Sequence, residues 1–159
     1  MKHYIFSGKL HEENINNLLK ELTSNEDKYL IYIDTAGGLN TLTDYLLLYL
    51  NLHKERFTLI SGTEITSNGF WLFYYFEGER IISDSTISMI HQSWKEVPSY
   101  DLKDKNGTGY KDLQKLDKIN EKFFKILEPF FSKKEIKEYK KGWDIYLSSD
   151  RIKQIIFKK

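Results

Sequence analysis

The stretch KYLIYIDTAGGLN, residues 28–40, contains the strand and the turn that decide the fold. Residues 28–34 carry apolar side chains on both alternating faces, which is typical of a strand covered on both sides of its sheet. Gly37 and Gly38 then form a turn, and residues 41–55 have the apolar spacing of a helix. This order gathers backbone N–H groups at a positive helix end, which suits an anion. The glycine spacing is not that of a dinucleotide-binding fingerprint, and a plain tight turn is the simpler interpretation.

Strands and helices alternate on both sides of this stretch, which predicts an α/β fold with a mostly parallel sheet. Thr41 and Asp44 resemble a capping pair at the start of the second helix. A polar loop is predicted over 94–109, and the helix after it has an apolar face from Leu113 to Leu127. The predicted strands are 3–6, 28–34, 56–61, 80–83 and 86–92, with an extended segment at 144–148. The predicted helices are 12–24, 41–55, 67–76, 110–127, 132–141 and 149–157.

The composition is that of one domain, with 159 residues of which 40% are hydrophobic. Its 24 basic and 23 acidic residues nearly cancel, so the overall charge indicates neither a nucleic-acid partner nor a membrane. The basic excess of residues 133–159 fits a solvated helical face. The absence of cysteine excludes disulfides, zinc-thiolate sites and thiol nucleophiles. The apolar runs are too short for a signal peptide or a membrane span, and we expect a soluble, cytoplasmic protein.

Two polar residues outside the glycine turn are candidates for chemistry. Ser67, in TSNG (66–69), opens a predicted helix and is either its N-cap or a nucleophile. In the second case the N–H of Asn68 supplies one donor to an oxyanion. His91, in MIHQ (89–92), follows an apolar run and is either a satisfied core histidine or the general base for Ser67. The other three histidines lie in polar or terminal settings.

A general-base histidine needs a carboxylate that holds its tautomer and stabilises the imidazolium. Asp144, in GWDIYLSSD (142–150), is the best candidate because it is an isolated acid before a short apolar segment. Glu128 is the weaker rival, and Asp84 lies in a predicted turn that faces water. The order Ser, His, Asp differs from that of the α/β-hydrolases, chymotrypsin and subtilisin.

Four segments of the chain resemble the Clp protease proteolytic subunit, within the Clp/crotonase superfamily. YIDTAGGLNTLTDYLL is similar to the family's strand, Asn-Ser-Pro-Gly-Gly turn and helix, and ITSNGFWL to its Ala-Ala-Ser-x-Gly nucleophile segment. GERIISDSTISMIHQS is similar to its Met-Ile-His-Gln-Pro segment, and GWDIYLSSDRIKQI to its Asp-x-Phe-Leu-Ser segment. The resemblance covers nearly the whole chain and implies one domain, 1–159, built as a spiral of strand–strand–helix units.

The resemblance implies a serine endopeptidase that works through an acyl-serine intermediate. It implies an oxyanion hole from the N–H groups of Asn68 and of Gly38 or Gly37, and it decides for Asp144 over Glu128. No metal and no cofactor are expected. The implied triad is Ser67, His91 and Asp144.

The resemblance also implies an assembly and a substrate. We expect a homo-oligomeric ring, a heptamer or two stacked heptamers, although relatives also form trimers and tetramers. The substrate would be a peptide or an unfolded protein. A head is expected over about 1–93 and 142–159. The handle, about 94–141, would include the long helix that joins two rings.

Departures from the family pattern keep two other functions open. DTAGG lacks the usual asparagine and proline, and Glu64 stands close before Ser67 where small residues are typical. The sequence starts at its first strand without the family's N-terminal axial segment, so an AAA+ unfoldase partner is in doubt. The first alternative is a catalytically inactive ring subunit, and the second is a crotonase-like acyl-CoA enzyme.

Overall fold

The computed structural model of the chain describes residues 1–94 and 105–158. The predicted loop over 94–109 therefore lies largely outside the described residues. The division into a head and a handle, which the family resemblance implies, stays a prediction. Contacts divide the chain into two units, the first formed by Met1–Ile90 with Tyr146–Lys159 and the second by His91–Ile145.

Every predicted strand and helix has a counterpart in the described residues, with its ends shifted by a few positions. The strands are β1 (Lys2–Ser7), β2 (Tyr29–Thr35), β3 (Phe57–Ile65), β4 (Glu79–Ile81), β5 (Ser88–Ile90) and β6 (Ile145–Leu147). The helices are α1 (Glu12–Thr23), α2 (Asn40–Leu52), α3 (Asn68–Tyr75), α4 (Thr108–Leu127), α5 (Lys133–Lys140) and α6 (Ser149–Phe157). Short 3-10 turns follow α2 and α4 at Lys54–Arg56 and Glu128–Phe130.

Four parallel strands form the main sheet of the first unit, in the order β1-β2-β3-β4. Parallel neighbours need crossover connections, and α1, α2 and α3 supply them. In β2 buried residues alternate with half-buried ones, so both faces of this strand are covered. The predicted α/β fold with a mostly parallel sheet is confirmed.

The helices of the first unit bury their apolar faces. In α1 the residues Ile15, Leu18 and Leu22 recur at helical spacing and are buried. Helix α3 is apolar on nearly all sides, and every residue from Asn68 to Phe73 is buried. This helix is therefore fixed by its surroundings along most of its length, which also fixes the residues at its start.

Helix capping differs from the prediction. Helix α2 begins at Asn40 and has no side-chain cap, so the predicted pair of Thr41 and Asp44 is wrong. The chain already has helical hydrogen bonding before Thr41, which leaves no N-cap position for that residue. A complete capping box forms instead at α5, where the Ser132 hydroxyl accepts from the N–H of Glu135 and the Glu135 carboxylate accepts from the N–H of Ser132.

An irregularity in the sheet shapes the end of β2. The register between β2 and β3 shifts between Ile33 and Thr35. The carboxylate of Asp34, at this point, accepts hydrogen bonds from the Thr63 hydroxyl at 3.1 Å and from the Glu64 N–H at 2.8 Å. These bonds tie the ends of the two strands together and so position the turns that follow them.

Strand β5 is attached to the end of β3 by backbone and side-chain bonds. The Ile87 N–H donates to Thr63 at 2.9 Å, and the Ile65 N–H donates to Ile87 at 3.1 Å. The buried hydroxyl of Ser88 donates to the Ile65 carbonyl at 2.6 Å. Strand β5 also forms a two-stranded sheet with β6. The chain therefore leaves β5 from the same edge at which β3 ends.

Helix α4 of the second unit leaves its apolar face only partly covered. Of the face predicted to point inward, from Leu113 to Leu127, only Leu127 is fully buried, and the others are half-buried. Within the described residues no helix combines the length and the low polarity that crossing a membrane requires.

Tyr139 lies at the centre of the packing in the second unit and is only 1% exposed. Its ring lies 5.9 Å from those of both Phe124 and Phe131, measured between centroids. Its hydroxyl is buried without a hydrogen-bond partner among the described residues. Burial disfavours the phenolate and raises the pKa of Tyr139 to about 12.

Substitution of Tyr139 by phenylalanine is expected to raise the free energy of unfolding by about 1–2 kcal/mol, because it removes an unpaired buried hydroxyl. The substitution should also change how the free energy of unfolding depends on pH above pH 10. The folded-state pKa of about 12 lies above the ordinary value of 10.0, so Tyr139 makes the free energy of unfolding of the wild type fall as the pH rises from 10 towards 12, and the phenylalanine variant lacks this contribution. Urea unfolding at pH 7 and pH 11 measures both effects.

The control is Tyr146→Phe, since Tyr146 is 69% exposed and should alter neither value. A Tyr139→Phe variant that is less stable than the wild type at both pH values would show that the hydroxyl is satisfied.

Candidate active site

Ser67 has an unusual backbone conformation in the turn between β3 and α3. Its φ is 53° and its ψ is −119°, and among the described residues it is the one non-glycine residue with positive φ. An ordinary N-cap serine has extended backbone angles and accepts a hydrogen bond with its side chain. Ser67 stands at the N-cap position but makes no side-chain cap bond. Such a conformation costs on the order of 1–3 kcal/mol and persists only where the surroundings impose it.

Backbone hydrogen bonds from three directions impose the conformation of Ser67. Its N–H donates to the Met89 carbonyl at 2.8 Å, and its carbonyl accepts from the Phe70 N–H at 3.1 Å. The preceding Thr66 N–H donates to the Thr35 carbonyl at 2.8 Å. The Thr66 hydroxyl accepts from the Met89 N–H at 3.2 Å. The serine turn is thus held between the end of β2 and the middle of β5.

The glycine turn after β2 packs directly against the serine turn. Gly37 has φ of 90°, and a Cβ built on it would lie 2.8 Å from both the Ser67 Cβ and the Thr66 carbonyl oxygen. It would also lie 3.1 Å from the backbone nitrogen of Asn68. Both the backbone angle and the close approach therefore require glycine here. The Gly37 N–H is occupied, because it donates to the Thr35 hydroxyl at 3.1 Å.

Gly38 is held on its other side by the backbone of Leu10. The Leu10 N–H donates to the Gly37 carbonyl at 2.8 Å, and the Leu39 N–H donates to the Leu10 carbonyl at 3.0 Å. A Cβ on Gly38 would lie 2.1 Å from the Leu10 oxygen. Because the peptides are trans, the N–H and the C=O of one peptide unit point in opposite directions. The N–H and the carbonyl of Gly38 therefore both face away from Leu10.

Two backbone N–H groups at these turns are uncommitted. The N–H of Gly38 has no hydrogen-bond acceptor among the described residues, and neither has the N–H of Asn68. Asn68 is the first residue of α3, and the first N–H groups of a helix have no partner within it. The positive end of the helix dipole lies at the same place. Free donors at two adjoining turns are suited to an oxyanion.

The side chain of Asn68 joins the two turns through a contact that the sequence does not predict. Its Nδ2 donates to the Gly38 carbonyl at 2.6 Å and to the Oδ1 of Asn40 at 2.6 Å. The residue is only 7% exposed. No sequence pattern indicates this contact, since Asn68 lies 30 positions from Gly38.

His91 belongs to the second unit and directly follows β5. Its Nδ1 lies 2.7 Å from the carbonyl oxygen of Gln92. A carbonyl can only accept, so Nδ1 carries the hydrogen, and in the neutral ring Nε2 is the acceptor. This is the tautomer that a general base needs in order to take a proton at Nε2.

The three acidic residues that were candidate partners of the histidine have different surroundings. Asp144 is exposed, and its carboxylate makes no hydrogen bond or ion pair with any residue that the structure describes. Asp84 is exposed in a turn, as predicted, and accepts a bond from Lys153, which lowers the pKa of Asp84. Glu128 is exposed at the start of a 3-10 turn.

The structure thus brings together four of the predicted site residues, all in the first unit: Ser67, Gly37, Gly38 and Asn68. His91 and Asp144 lie in the second unit. The triad and the roles of its members stay predictions.

Glu64, which the sequence places near the serine, lines a cleft of about 250 Å³ at the carboxyl ends of β1, β2 and β3. The other side chains around this cleft include those of Lys9, Asp34 and Thr63. In open α/β sheets this edge is the usual place for ligands.

Comparison with known proteins identifies the fold. No protein-family model and no curated protein sequence matches the chain. Among solved structures, a mutant of ClpP1 from Listeria monocytogenes is similar to it with a TM-score of 0.66, over 97% of this chain and 86% of that chain. The chain has a ClpP-like fold. The two chains are 18% identical, so the likeness confirms the predicted fold and shows the fold alone.

Gly37→Ala should lower the free energy of unfolding by about 2–4 kcal/mol, because it adds a backbone clash to an unfavourable φ. The matched control is Gly8→Ala in the same unit. Gly8 also has positive φ, 110°, but its added Cβ would meet only the end of the Asn14 side chain at 3.4 Å. About 1 kcal/mol is expected there from the backbone angle alone. Chemical unfolding measures both, and equal losses would contradict the close approach.

Proposed function

We propose that the chain is a ClpP-like serine endopeptidase in which Ser67 is the nucleophile and His91 the general base. The observation that carries this proposal is the strained, uncapped backbone of Ser67 beside two free N–H groups. A serine that only capped a helix would have extended backbone angles and would accept a hydrogen bond with its side chain. Sharp strand-to-helix turns of this kind expose a nucleophile in other hydrolases.

In the proposed acylation step, the Oγ of Ser67 attacks the carbonyl carbon of a peptide bond, and Nε2 of His91 accepts the hydroxyl proton. The hydrogen bond from Nδ1 of His91 to Gln92 supports this role, because it leaves the Nε2 lone pair available in the neutral ring. The substrate oxygen becomes an oxyanion that accepts from the N–H groups of Gly38 and Asn68. One such donor contributes roughly 3–4 kcal/mol of transition-state stabilisation.

The intermediate then collapses. His91 gives its proton to the leaving amine, the C–N bond breaks and the acyl group remains on Ser67. In the second step water attacks the ester carbon while His91 takes a proton from the water, and the ester C–O bond then breaks as His91 returns this proton to the Oγ of Ser67 and the carboxylic acid leaves. Asp144 is the proposed carboxylate that stabilises the imidazolium. Gly38 rather than Gly37 is the proposed glycine donor, since the N–H of Gly37 is already bonded.

One observation favours the alternative of an inactive subunit. The carboxylate of Asp144 is exposed and unbonded among the described residues, whereas an orienting aspartate is ordinarily buried and hydrogen-bonded to its histidine. Both functions share the fold and differ in chemistry, so a chemical probe of Ser67 separates them.

A fluorophosphonate probe should add once per chain, at Ser67, as read by intact mass and peptide mapping. His91→Ala should slow this labelling by about 10³-fold or more, because the base is lost, and Ser67→Ala should abolish it. Asp144→Asn should slow it less than His91→Ala does. Peptidase activity with fluorogenic peptides should fall in the same order.

The matched control is Ser24→Ala, which removes an exposed serine hydroxyl that donates to the Glu21 carbonyl and accepts from the Asn25 side chain at the end of α1. Folded wild-type protein that takes up no probe would reject the peptidase and support the inactive subunit.

The proposed assembly is a homo-oligomeric ring, a heptamer or two stacked heptamers, that encloses peptide or unfolded-protein substrates. Exposed apolar residues on α2 support an assembly. Tyr45, Leu48 and Leu52 follow one another at helical spacing and are 62%, 58% and 68% exposed. In the second unit, considered by itself, the half-buried face of α4 is a further apolar surface. Contiguous exposed apolar surface in a folded chain is typical of a contact between proteins.

Leu48→Lys should weaken this assembly at least about ten-fold, since it would place a charge in an apolar contact. Native mass spectrometry over a dilution series measures the subunit number and its loss. Asn16→Lys, on the exposed face of α1, is the control with the same added charge. A wild-type monomer at all concentrations would contradict the ring and leave the chemistry of Ser67 unaffected.

A further inference from the structure

We propose that the side chain of Asn68 is a positioning group that holds the Gly38 N–H in place for the oxyanion. The inference rests on the proposed function, in which the backbone of Asn68 and that of Gly38 supply the two donors. The side-chain carboxamide of Asn68 thus has a different role from the backbone N–H of the same residue.

The hydrogen-bond chemistry fixes the orientation of the carboxamide. The Gly38 carbonyl can only accept, so the group 2.6 Å away must be the nitrogen of Asn68 and not its oxygen. The same nitrogen donates to the Oδ1 of Asn40, also at 2.6 Å. Both amide hydrogens are therefore used. With 7% of the residue exposed, solvent competes little for these bonds.

The carboxamide supplies a second anchor for Gly38, on the side opposite to the one that Leu10 holds. On one side, the bonds of Leu10 hold the Gly37 carbonyl and the Leu39 N–H. On the other side, the Gly38 N–H is free, and the Gly38 carbonyl is bound by Asn68 alone among the described residues. Each of the two peptide units beside Gly38 is otherwise held by one hydrogen bond to Leu10, and the wide choice of backbone angles at glycine lets these units tilt about that bond. The bond from Asn68 to the Gly38 carbonyl limits this tilt.

One residue consequently sets the spacing of both donors. The Asn68 N–H is fixed by the start of α3, and the Asn68 side chain fixes the glycine whose N–H is the second donor. Oxyanion stabilisation depends on donors that are already in place before the charge develops. A displacement of Gly38 should therefore lower the rate of the chemical step more than it lowers substrate binding.

The experiment replaces Asn68 in the full-length protein and follows two independent signals. Asn68→Leu keeps the branching and the number of heavy atoms of the side chain and removes both donated bonds, while the backbone N–H remains. Asn68→Asp keeps the shape and puts oxygen where the donor was. Both variants are expected to lower kcat by about 10²-fold with KM changed less than about three-fold, and to slow fluorophosphonate labelling of Ser67 to the same extent.

The second signal does not need an active enzyme. Hydrogen exchange at the Leu39 amide, which donates to Leu10 on the far side of the turn, should become about ten-fold faster in both variants because the turn opens more often. Mass spectrometry with residue-level fragmentation reports it, together with the melting temperature of each variant.

The matched control is Asn51→Leu in α2. Asn51 also lies in the first unit and also braces the backbone, by donating to Tyr75 at 3.2 Å and accepting from the Glu77 N–H at 2.9 Å. These contacts are at the opposite end of α3 from Ser67. Asn51→Leu should lower the melting temperature about as much as Asn68→Leu and leave both the labelling rate and the Leu39 exchange unchanged.

Three results would overturn the inference or its basis, and they are distinguishable. Asn68 variants that label at the wild-type rate would reject the positioning role while the peptidase stands. Unchanged exchange at Leu39 would reject the brace itself. A wild type that takes up no probe would reject the proposed function, and faster Leu39 exchange in the variants would then show a purely structural brace.

Discussion

The hydrogen bond from the Ser67 N–H to the Met89 carbonyl is the contact on which the arrangement at the candidate site depends. It joins the turn after β3 to β5, while the bond from Thr66 to Thr35 joins the same turn to β2. Together they compel a backbone geometry that a serine in an isolated peptide would avoid. The same two bonds bring the serine turn against Gly37, where no other residue fits. Loss of either bond would let the turn relax into an ordinary helix start.

The parallel sheet explains why the segment around Leu10, the glycine turn and the serine turn lie next to one another. In parallel strands all carboxyl ends lie at the same edge, and the turns that leave them are neighbours. The ends of β1, β2 and β3 carry the segment around Leu10, the glycine turn and the serine turn in that order. The bonds of Asp34 to Thr63 and Glu64 fix the last two strand ends relative to each other. The register of the strands therefore determines where the turns after them lie, and with them the backbone N–H groups of Gly38 and Asn68.

The periodic patterns of the sequence were sufficient for the helices and strands, because they express local burial. The paired glycines and the serine before α3 were sufficient to propose where the turns meet, with the help of a family resemblance. The conformation of Ser67 was beyond prediction, since it is imposed by Met89 and by residues of another strand. The same holds for the contact of Asn68 with Gly38, which joins chain segments 30 positions apart. Asp144 was proposed from its sequence setting and the family resemblance, and its exposed carboxylate makes no hydrogen bond or ion pair among the described residues.

The uncommitted N–H groups of Gly38 and Asn68 have a thermodynamic consequence. These groups have no acceptor among the described residues, and the strain at Ser67 is not offset by any side-chain bond of Ser67 to the helix. A ligand that accepts hydrogen bonds from both N–H groups needs the folded chain, so its binding shifts the folding equilibrium towards the folded state by mass action. The melting transition of the protein should thus follow the occupancy of its site, and a chain with a bound ligand would resist heat and proteolysis better than a chain without one.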